Sequence, residues 1–458
     1  MLSRLAGFSS PLSFNPTNDT LNGFITVWDT TQAGSANDTI VLPLYSTGTY
    51  NFDIDWGDGN NDTITVWNQA ETTHVYAASG TYTVTITGTI IGWRFHNGGD
   101  KAKLLEISNW GPFTSNVSGA FYGCSNMDLT ATDAPAFAAT DQSNFFRGCS
   151  TITTPDVSAF DFTGVTSIPY FWMQCTNFNG DLSNWDISGI SSIYGMFWSA
   201  ISFNNDSLAG WDISGCNSLT QLFYSAGSFN GDVSSWNTSG IVNMNSAFFG
   251  TSYNGDLSGW DFSNVTSANS MFRSCAFNNN SINGWNTSSL QNAASMFQQN
   301  TLFDQDISAW DMSSCTNMSG MLRQTAFNQD IGGWTVSNVL NMSYLFFGAN
   351  SFNQDIGGWD VSSVTNMTWL FSSAISFDQD ISAWDINQVS AFSLFMHNTT
   401  ISTPNYDALL ISWEPQVPTY SGAISFGTAQ YTLGGAAEAS RDILVGTYSW
   451  TITDGGGI

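Results

Sequence analysis

Basic residues are scarce in this 458-residue chain: 8 Lys and Arg stand against 36 Asp and Glu, a formal net charge of −28. A surface that binds phosphates needs clustered cations. Nucleic acid is therefore excluded as a partner, and an anionic membrane surface is disfavoured by the same repulsion. Histidine is rarer still, and His74, His96 and His397 lie far apart in the chain, which leaves little for acid–base or metal chemistry. No apolar run approaches the ~18 residues of a membrane span. The opening MLSRLAGFSSPLSFNPTNDT holds no apolar stretch of the about 7–15 residues found in a secretory signal. The six cysteines, at positions 124, 149, 175, 216, 275 and 315, are sparse and form no Cys-x-x-Cys pair. Neither a disulfide framework nor a zinc site is expected. These scarcities predict a protein that is not an enzyme.

Aromatic residues are plentiful instead, with 34 Phe and 19 Trp, and Gly reaches 42. Charged residues make up only 10%, so solubility must rest on net negative charge and on Asn, Ser and Thr rather than on mixed ion pairs. That composition suits an extracellular or virion-borne protein. Virion proteins leave their host by lysis and need no signal, which reconciles the composition with the opening residues.

Internal repeats organise most of the chain. A tryptophan recurs at 185, 211, 236, 260, 285, 310, 334, 359 and 384, in steps of 24 to 26 residues. A second aromatic column keeps the same step from Phe178 through Phe203, Phe229, Tyr253, Phe277, Phe303, Phe327 and Phe352 to Phe377, and a third runs from Phe197 to Phe395. The consensus is S-F-N-Q-D-I-s-x-W-D-[VI]-S-x-V-T-N-M-x-x-M-F-x-x-A. Upstream the pattern decays, but Phe160 holds the tryptophan column and Phe121-Tyr-Gly-Cys124 and Phe146-Arg-Gly-Cys149 hold the third. Trp110 opens the first turn.

A unit of this length cannot bury its own apolar face, so the turns must stack and bury the columns as ladders. The F-N-Q-D-I segment predicts a short parallel strand. The N-M-x-x-M-F-x-x-A segment has helical spacing and predicts a helical turn. With strands ~4.8 Å apart, about twelve turns make a rod or shallow arc roughly 55–60 Å long.

Residues 23–92 read differently. Trp56-Gly-Asp-Gly59 is a tight turn, His74-x-Tyr76 follows, and Tyr82-Thr-Val-Thr-Ile86 is a period-two strand. The set resembles a polycystic-kidney-disease (PKD) type β-sandwich, an immunoglobulin-like module. Trp56, His74, Tyr76 and Tyr82 are read as packing and corner groups. The repeat Phe352-Asn-Gln-Asp-Ile-Gly-Gly-Trp-Asp-Val-Ser-Ser-Val-Thr-Asn-Met367 resembles the BspA-like leucine-rich-repeat surface proteins, and the resemblance covers most of the chain. It implies adhesion to host proteins or other cells rather than catalysis. After the repeats, Thr403-Pro404 can start a helix with Tyr406, Leu409, Leu410 and Trp413 as its apolar stripe. A second helix around 435–445 and a strand from Tyr448 to Ile452 would close the last edge. The expected fold is mainly β with short helical turns: a PKD-like sandwich over 23–100, a leucine-rich-repeat-like solenoid over 101–400 and a C-terminal cap over 401–458.

The acidic columns are the best candidates for chemistry. Asp181, Asp206, Asp232, Asp256, Asp306, Asp330, Asp355 and Asp380 share one position, with Asn280 as its exception, and Asp186, Asp212, Asp261, Asp311, Asp360 and Asp385 partly fill another. Carboxylates ~5 Å apart repel by about 0.8 kcal/mol even in water. Turn caps that accept backbone N–H bonds would offset this, and so would Ca²⁺ between turns at Asp306, Asp330 and Asp355. Caps are favoured because Asn280 and Asn237 replace Asp without disturbing the step. A glycosidase pair is weaker, since a periodic column singles out no two residues. Cys124, Cys149 and Cys175 are expected to be buried thiols in place of Ala. The Trp column is expected in the core, which leaves the variable side chains between columns as the recognition surface.

Residues 1–22 are read as an attachment arm, with Leu2, Leu5, Phe8, Leu12 and Phe14 as apolar anchors for a virion shell or tail protein. The functional expectation is a non-enzymatic recognition protein on a particle surface, as a tail fibre, head fibre or capsid decoration. Its repeats would meet a host-surface protein or glycan. A bacterial cell-surface adhesin is the alternative, and a polysaccharide-acting enzyme the weaker one.

Overall fold

Alternation of apolar and hydroxyl side chains, as in Phe24-Ile-Thr-Val-Trp28, sends successive residues to opposite faces and draws the N-terminal region into strands. The computed structural model describes residues 22–416 and 420–458; they are mainly β, with two short α-helices. The expected anchors Leu2, Leu5, Phe8, Leu12 and Phe14 lie outside the described residues.

The N-terminal strands are β1 (Phe24–Asp29), β2 (Thr39–Val41), β3 (Leu44–Asp55), β4 (Asn61–Ile64), β5 (Thr73–Val75) and β6 (Thr81–Trp93). Long β6 lies between β1 and β3, antiparallel to both, with Thr26 opposite Val84 and Ile54 opposite Ile86. β2 and β5 form a separate pair. Phe24, Trp28, Phe52, Ile54, Trp56, Val84 and Ile86 are buried. The turn after Trp56 needs glycine: Gly57 has φ +80°, and a Cβ there would sit 2.3 Å from the carbonyl oxygen of Thr83. Tyr76 donates its hydroxyl to the Trp56 carbonyl at 3.0 Å, and the His74 ring stacks on Trp56 at 4.7 Å.

The sheet does not end at residue 100. β7 (Leu104–Asn109) pairs antiparallel with β1, and β8 (Phe113–Ser115) pairs parallel with β6. β9 (Asp128–Leu129) and β10 (Ala136–Phe137) then add in parallel to β7 and β8. The N-terminal sheet is thus the template on which the first turns grow. Buried Asp100 and Lys103 lock this junction. The carboxylate accepts the N–H groups of Ser35 and Val41 at 2.6 and 2.7 Å, and the ammonium donates to the carbonyls of Ala36 and Thr39, both at 2.8 Å.

Beyond β10 the turns pair through single-residue parallel bridges, from Asp141 to Ser192 and again from Ser218 to Ala391. Asn243, Ser267, Asn292, Asn317, Asn341, Asn366 and Ala391 form one continuous series. The expected strand at F-N-Q-D-I does not form, because side chains take the place of a backbone ladder. The N–H of Asn353 donates to Oδ1 of Asn328, and the N–H of Asp378 to Oδ1 of Asn353, both at 2.9 Å. The same bond runs upstream from Asn328 to Asp304 and from Asp304 to Asn278.

The expected helical turn is also replaced. In the segment around Phe197, alternate N–H groups (Gly195, Phe197, Ser199) donate to the next turn, while those of Met196, Trp198 and Ala200 donate three residues back. Two residues four apart adopt left-handed backbone in each unit, as at Gly195 and Ser199 with φ of 57° and 56°. An α-helix tolerates neither feature.

At the far end α1 (Thr403–Trp413) buries Tyr406, Leu409, Leu410 and Trp413. β11 (Ala423–Ser425), α2 (Ala436–Gly446) and β12 (Thr451–Thr453) follow, with β12 parallel to β11. Gln416 closes the final turn by donating to the Trp384 carbonyl at 2.9 Å and accepting from the Ile386 N–H at 2.8 Å.

Candidate functional site

Each letter of the repeat now has a physical role, and what remains defines the surface. The Phe, Ile, Trp, Val and Met positions are core: Trp185 to Trp384 are at most 4% exposed. Successive indoles stack almost parallel, Trp285 on Trp310 at 6.1 Å and Trp359 on Trp384 at 6.5 Å. The tryptophan column therefore lines the interior and offers no face to a sugar.

The aspartates cap turns, except Asp206, whose Oδ1 accepts the Asp232 N–H of the next turn at 3.0 Å while Asn205 caps its own turn at Ser207. Oδ1 of Asp306 accepts the Ser308 N–H, Oδ1 of Asp330 the Gly332 N–H and Oδ1 of Asp355 the Gly357 N–H, each at 2.9 Å. The second column repeats the device, from Asp311 to Ser313 and from Asp360 to Ser362. Asn237 does the same to Ser239 at 3.2 Å, so an amide serves as well as a carboxylate. Asn280 is not the cap of its turn. That turn carries one extra residue between its Phe and Trp, and Asn279 accepts the Ser281 N–H at 3.0 Å. The N–H of Ser308, then its hydroxyl, holds the Asp306 carboxyl below the usual carboxylate range. Among the described residues no group of three or more His, Cys, Asp or Glu could hold a metal ion.

All six cysteines are buried free thiols. Burial pushes Cys175 up to about 12 and Cys216, Cys275 and Cys315 up to about 11. Such thiols pack as small apolar groups and carry no nucleophile at neutral pH.

The position immediately after the third aromatic column is different. In eight of the twelve turns it is occupied by Tyr122, Arg147, Trp198, Tyr224, Phe249, Arg273, Arg323 and Phe347, all half-buried; in the other four it is Met173, Gln298, Ser372 and Met396, which are buried. Residues three before it on neighbouring turns add Tyr170, Tyr344 and Trp369, also half-buried. Stacking brings these side chains together. The Arg147 guanidinium lies over the rings of Tyr122 and Tyr170, at 4.7 and 5.6 Å. Trp198 meets Tyr224 at 4.7 Å, Tyr224 stacks on Phe249 at 4.4 Å, and Arg273 lies 5.5 Å over Phe249. Further on, Arg323 lies over Tyr344 and Phe347 at 5.1 and 4.7 Å, and Trp369 stacks on Tyr344 at 5.9 Å.

At the N-terminal end the stripe continues through His96, 5.9 Å from Tyr122, to Arg94 over Tyr45 at 4.9 Å. Burial, then the charges of Arg94 and Arg147, hold the His96 imidazole below its usual range. Arg441 pairs with Asp454 at 2.7 Å. Among the described residues, Arg94, Arg147, Arg273 and Arg323 have no carboxylate within ion-pair distance. The side chains of Arg273 and Arg323 donate no hydrogen bond among the described residues, and the buried Nε atoms of Arg147, Arg273 and Arg323 lack an acceptor.

A groove of about 610 Å³ opens beside the last of these, lined by Gln324, Thr325, Phe347, Asn350, Ser351 and Ser373 among others. The Oε1 of Gln324 has no partner. Sequence reasoning missed this stripe, although its signal was present: the column after the core Phe is aromatic or arginine in eight of twelve turns.

Stacked turns joined by parallel bridges, with stacked core aromatics and a periodic surface, define the class of protein: a repeat protein of about 25 residues per turn. The model of the family described as "Mycoplasma protein of unknown function, DUF285" matches five overlapping stretches, residues 115–217, 140–254, 205–310, 247–332 and 294–409. Together they span well over half of the chain, and the chain belongs to this family. No curated protein and no solved structure matches it. Among the described residues no helix is long and apolar enough to cross a membrane.

Proposed function

We propose that this chain is a non-enzymatic adhesion and recognition protein displayed on a particle surface, whose leucine-rich-repeat-like solenoid presents the arginine–aromatic stripe to a host-surface ligand. The stripe carries this reading. In a chain of net charge −28, guanidiniums would be expected to find carboxylates, yet those of the repeats lie on aromatic rings, and apart from the Arg147 bond to Asn144 their side chains donate no hydrogen bond among the described residues. Aromatic residues and arginine are the side chains that dominate recognition surfaces. The BspA-like resemblance and the PKD-like reading of residues 23–100 belong to the same proposal, supported by the parallel bridges at one-turn spacing and by the packing of Trp56, Tyr76 and Tyr82.

A phage virion component, held through residues 1–22, is the placement we favour, on the amide- and hydroxyl-rich composition. The family description names Mycoplasma, which favours a bacterial cell surface as the second placement. Mass spectrometry of purified virions and of bacterial envelopes decides between them. Recognition itself is tested with the fluorescently labelled full chain on intact host cells. Saturable binding is expected, and its absence across candidate hosts would overturn the reading.

A further inference from the structure

We propose that the stripe binds an acidic polysaccharide, with carboxylate or sulfate groups of the sugar chain on Arg147, Arg273 and Arg323. This rests on the recognition reading above and specifies the ligand.

The arginines point to an anion. Each guanidinium carbon lies 4.7 to 5.6 Å from the centroid of one or two rings, and the terminal amino groups of Arg273 and Arg323, with one of Arg147 (the other donates to Asn144 Oδ1 at 3.1 Å), are left for a planar or tetrahedral oxyanion. The three Nε atoms are buried, which leaves the terminal amino groups to meet the anion, and among the described residues no carboxylate lies within ion-pair distance of them. The spacing points to a sparsely charged polymer. Five turns separate Arg147 from Arg273 and two separate Arg273 from Arg323, about 24 and 10 Å at one strand spacing per turn. Nucleic acid carries a phosphate at every nucleotide and needs dense cations, which this stripe and its acidic surroundings do not offer.

A peptide added as a strand needs unpaired backbone. Here the N–H groups of the segment are already used: that of Phe248 donates to Met271, Gly250 to Arg273 and Leu322 to Leu345. Between the arginines the surface is one that sugar rings fit, with aromatic edges for their C–H faces and amide and hydroxyl groups for their hydroxyls. The groove beside Arg323 has this lining, with Gln324, Thr325, Asn350, Ser351 and Ser373 around Phe347.

The test measures binding of the full chain to four immobilised polymers: hyaluronan, neutral dextran, poly-glutamate and oligo-dT. Hyaluronan binding without dextran binding is expected. Arg273→Gln with Arg323→Gln should weaken it about a hundredfold, roughly tenfold for each charge-assisted contact, with an unchanged melting temperature. Arg323→Lys keeps the charge but loses the planar fork, and should weaken binding about tenfold; it decides the matter if the double variant fails to fold. Equal binding to dextran, preference for poly-glutamate or oligo-dT, or unchanged affinity in the folded variants would overturn the proposal. Host-cell binding that survives in the double variant overturns it while leaving the recognition reading intact. Hyaluronan binding by a parent chain that binds no host cell supports the ligand chemistry and removes the adhesion reading alone.

Discussion

The indole N–H of Trp310 donates to the carbonyl oxygen of Ile282, one turn earlier, at 3.0 Å. The same bond joins Trp185 to Val157 and Trp384 to Ile356. Tryptophan recurs because one side chain fills the interior and also satisfies a backbone acceptor of the preceding turn. Phenylalanine could do only the first.

Trp310→Ala should therefore cost about 3–5 kcal/mol. Trp310→Phe should cost about 1–3 kcal/mol, from the lost indole bond and the smaller ring together, since the Ile282 carbonyl keeps the Trp285 N–H at 3.2 Å. Ser308→Ala, on the exposed side of the same turn, should stay within about 0.5 kcal/mol. Urea denaturation measures all three, and hydrogen exchange should place the loss of protection in the turns adjoining Trp310.

Asn328 holds the amide ladder. Its Oδ1 accepts from the Asn353 N–H at 2.9 Å and from Gln354 Nε2 at 3.0 Å. Asn328→Ala leaves both donors without that acceptor and should cost about 1–3 kcal/mol. Asn328→Asp keeps the acceptor, as Asp304 and Asp378 do at the same position, and should cost less than about 1 kcal/mol. Equal losses in the two variants by urea denaturation would show that the side chain acts by bulk instead.

Left-handed backbone recurs at the same two places in each unit. Ser274 has φ 54° and Gly250, one turn earlier at the same place, has φ 68°. A Cβ on Gly250 would meet only ordinary contacts at 3.7 Å, so Gly250→Ala isolates the backbone term and should cost about 1–2 kcal/mol. Ser274→Gly should stabilise by about 0.5–1 kcal/mol, the relief of strain less the entropy glycine loses on folding. Thermal melts of the two variants should move in opposite directions.

The capped aspartates should make stability depend on acid, and as turn caps they need no calcium. The N–H of Ser308 lowers Asp306, and the hydroxyls of Ser313 and Ser362 lead in lowering Asp311 and Asp360. A group whose folded pKa is depressed stabilises above its unfolded value, about 3.9 for Asp, and that contribution is lost as pH falls through the folded value. The melting temperature should hold between about pH 7 and 5 and fall below about pH 4. EDTA at pH 7 should leave it unchanged. A drop of about ten degrees in EDTA, reversed by calcium but not magnesium, would show that Asp306, Asp330 and Asp355 hold the ion instead.

The periodicity of the Trp, Phe and Met columns was enough to reveal the stacked repeat and its interior. Identical side chains at one-turn intervals can be buried together only if the turns lie on one another. The cap role of the aspartates was legible for a related reason. An Asx turn is made within three residues, and Asn237 substituting for Asp already separated acceptor from charge. Helix α1 was legible from Thr403-Pro404 and the stripe Tyr406, Leu409, Leu410 and Trp413, all local signals.

What sequence reading placed wrongly was the backbone inside each turn. Helical spacing of apolar residues is shared by a chain of turns with left-handed residues at Gly195 and Ser199. Only the hydrogen bonds to the next turn, such as Phe197 to Leu222 at 2.9 Å, decide against the helix. The arginine–aromatic stripe likewise belongs to the tertiary structure. Arg147 and Tyr170 are 23 residues apart in the chain, and no local preference joins them. They meet because stacking converts a sequence period into a distance of a few ångströms, so that surface residues which vary from turn to turn become neighbours on one continuous face.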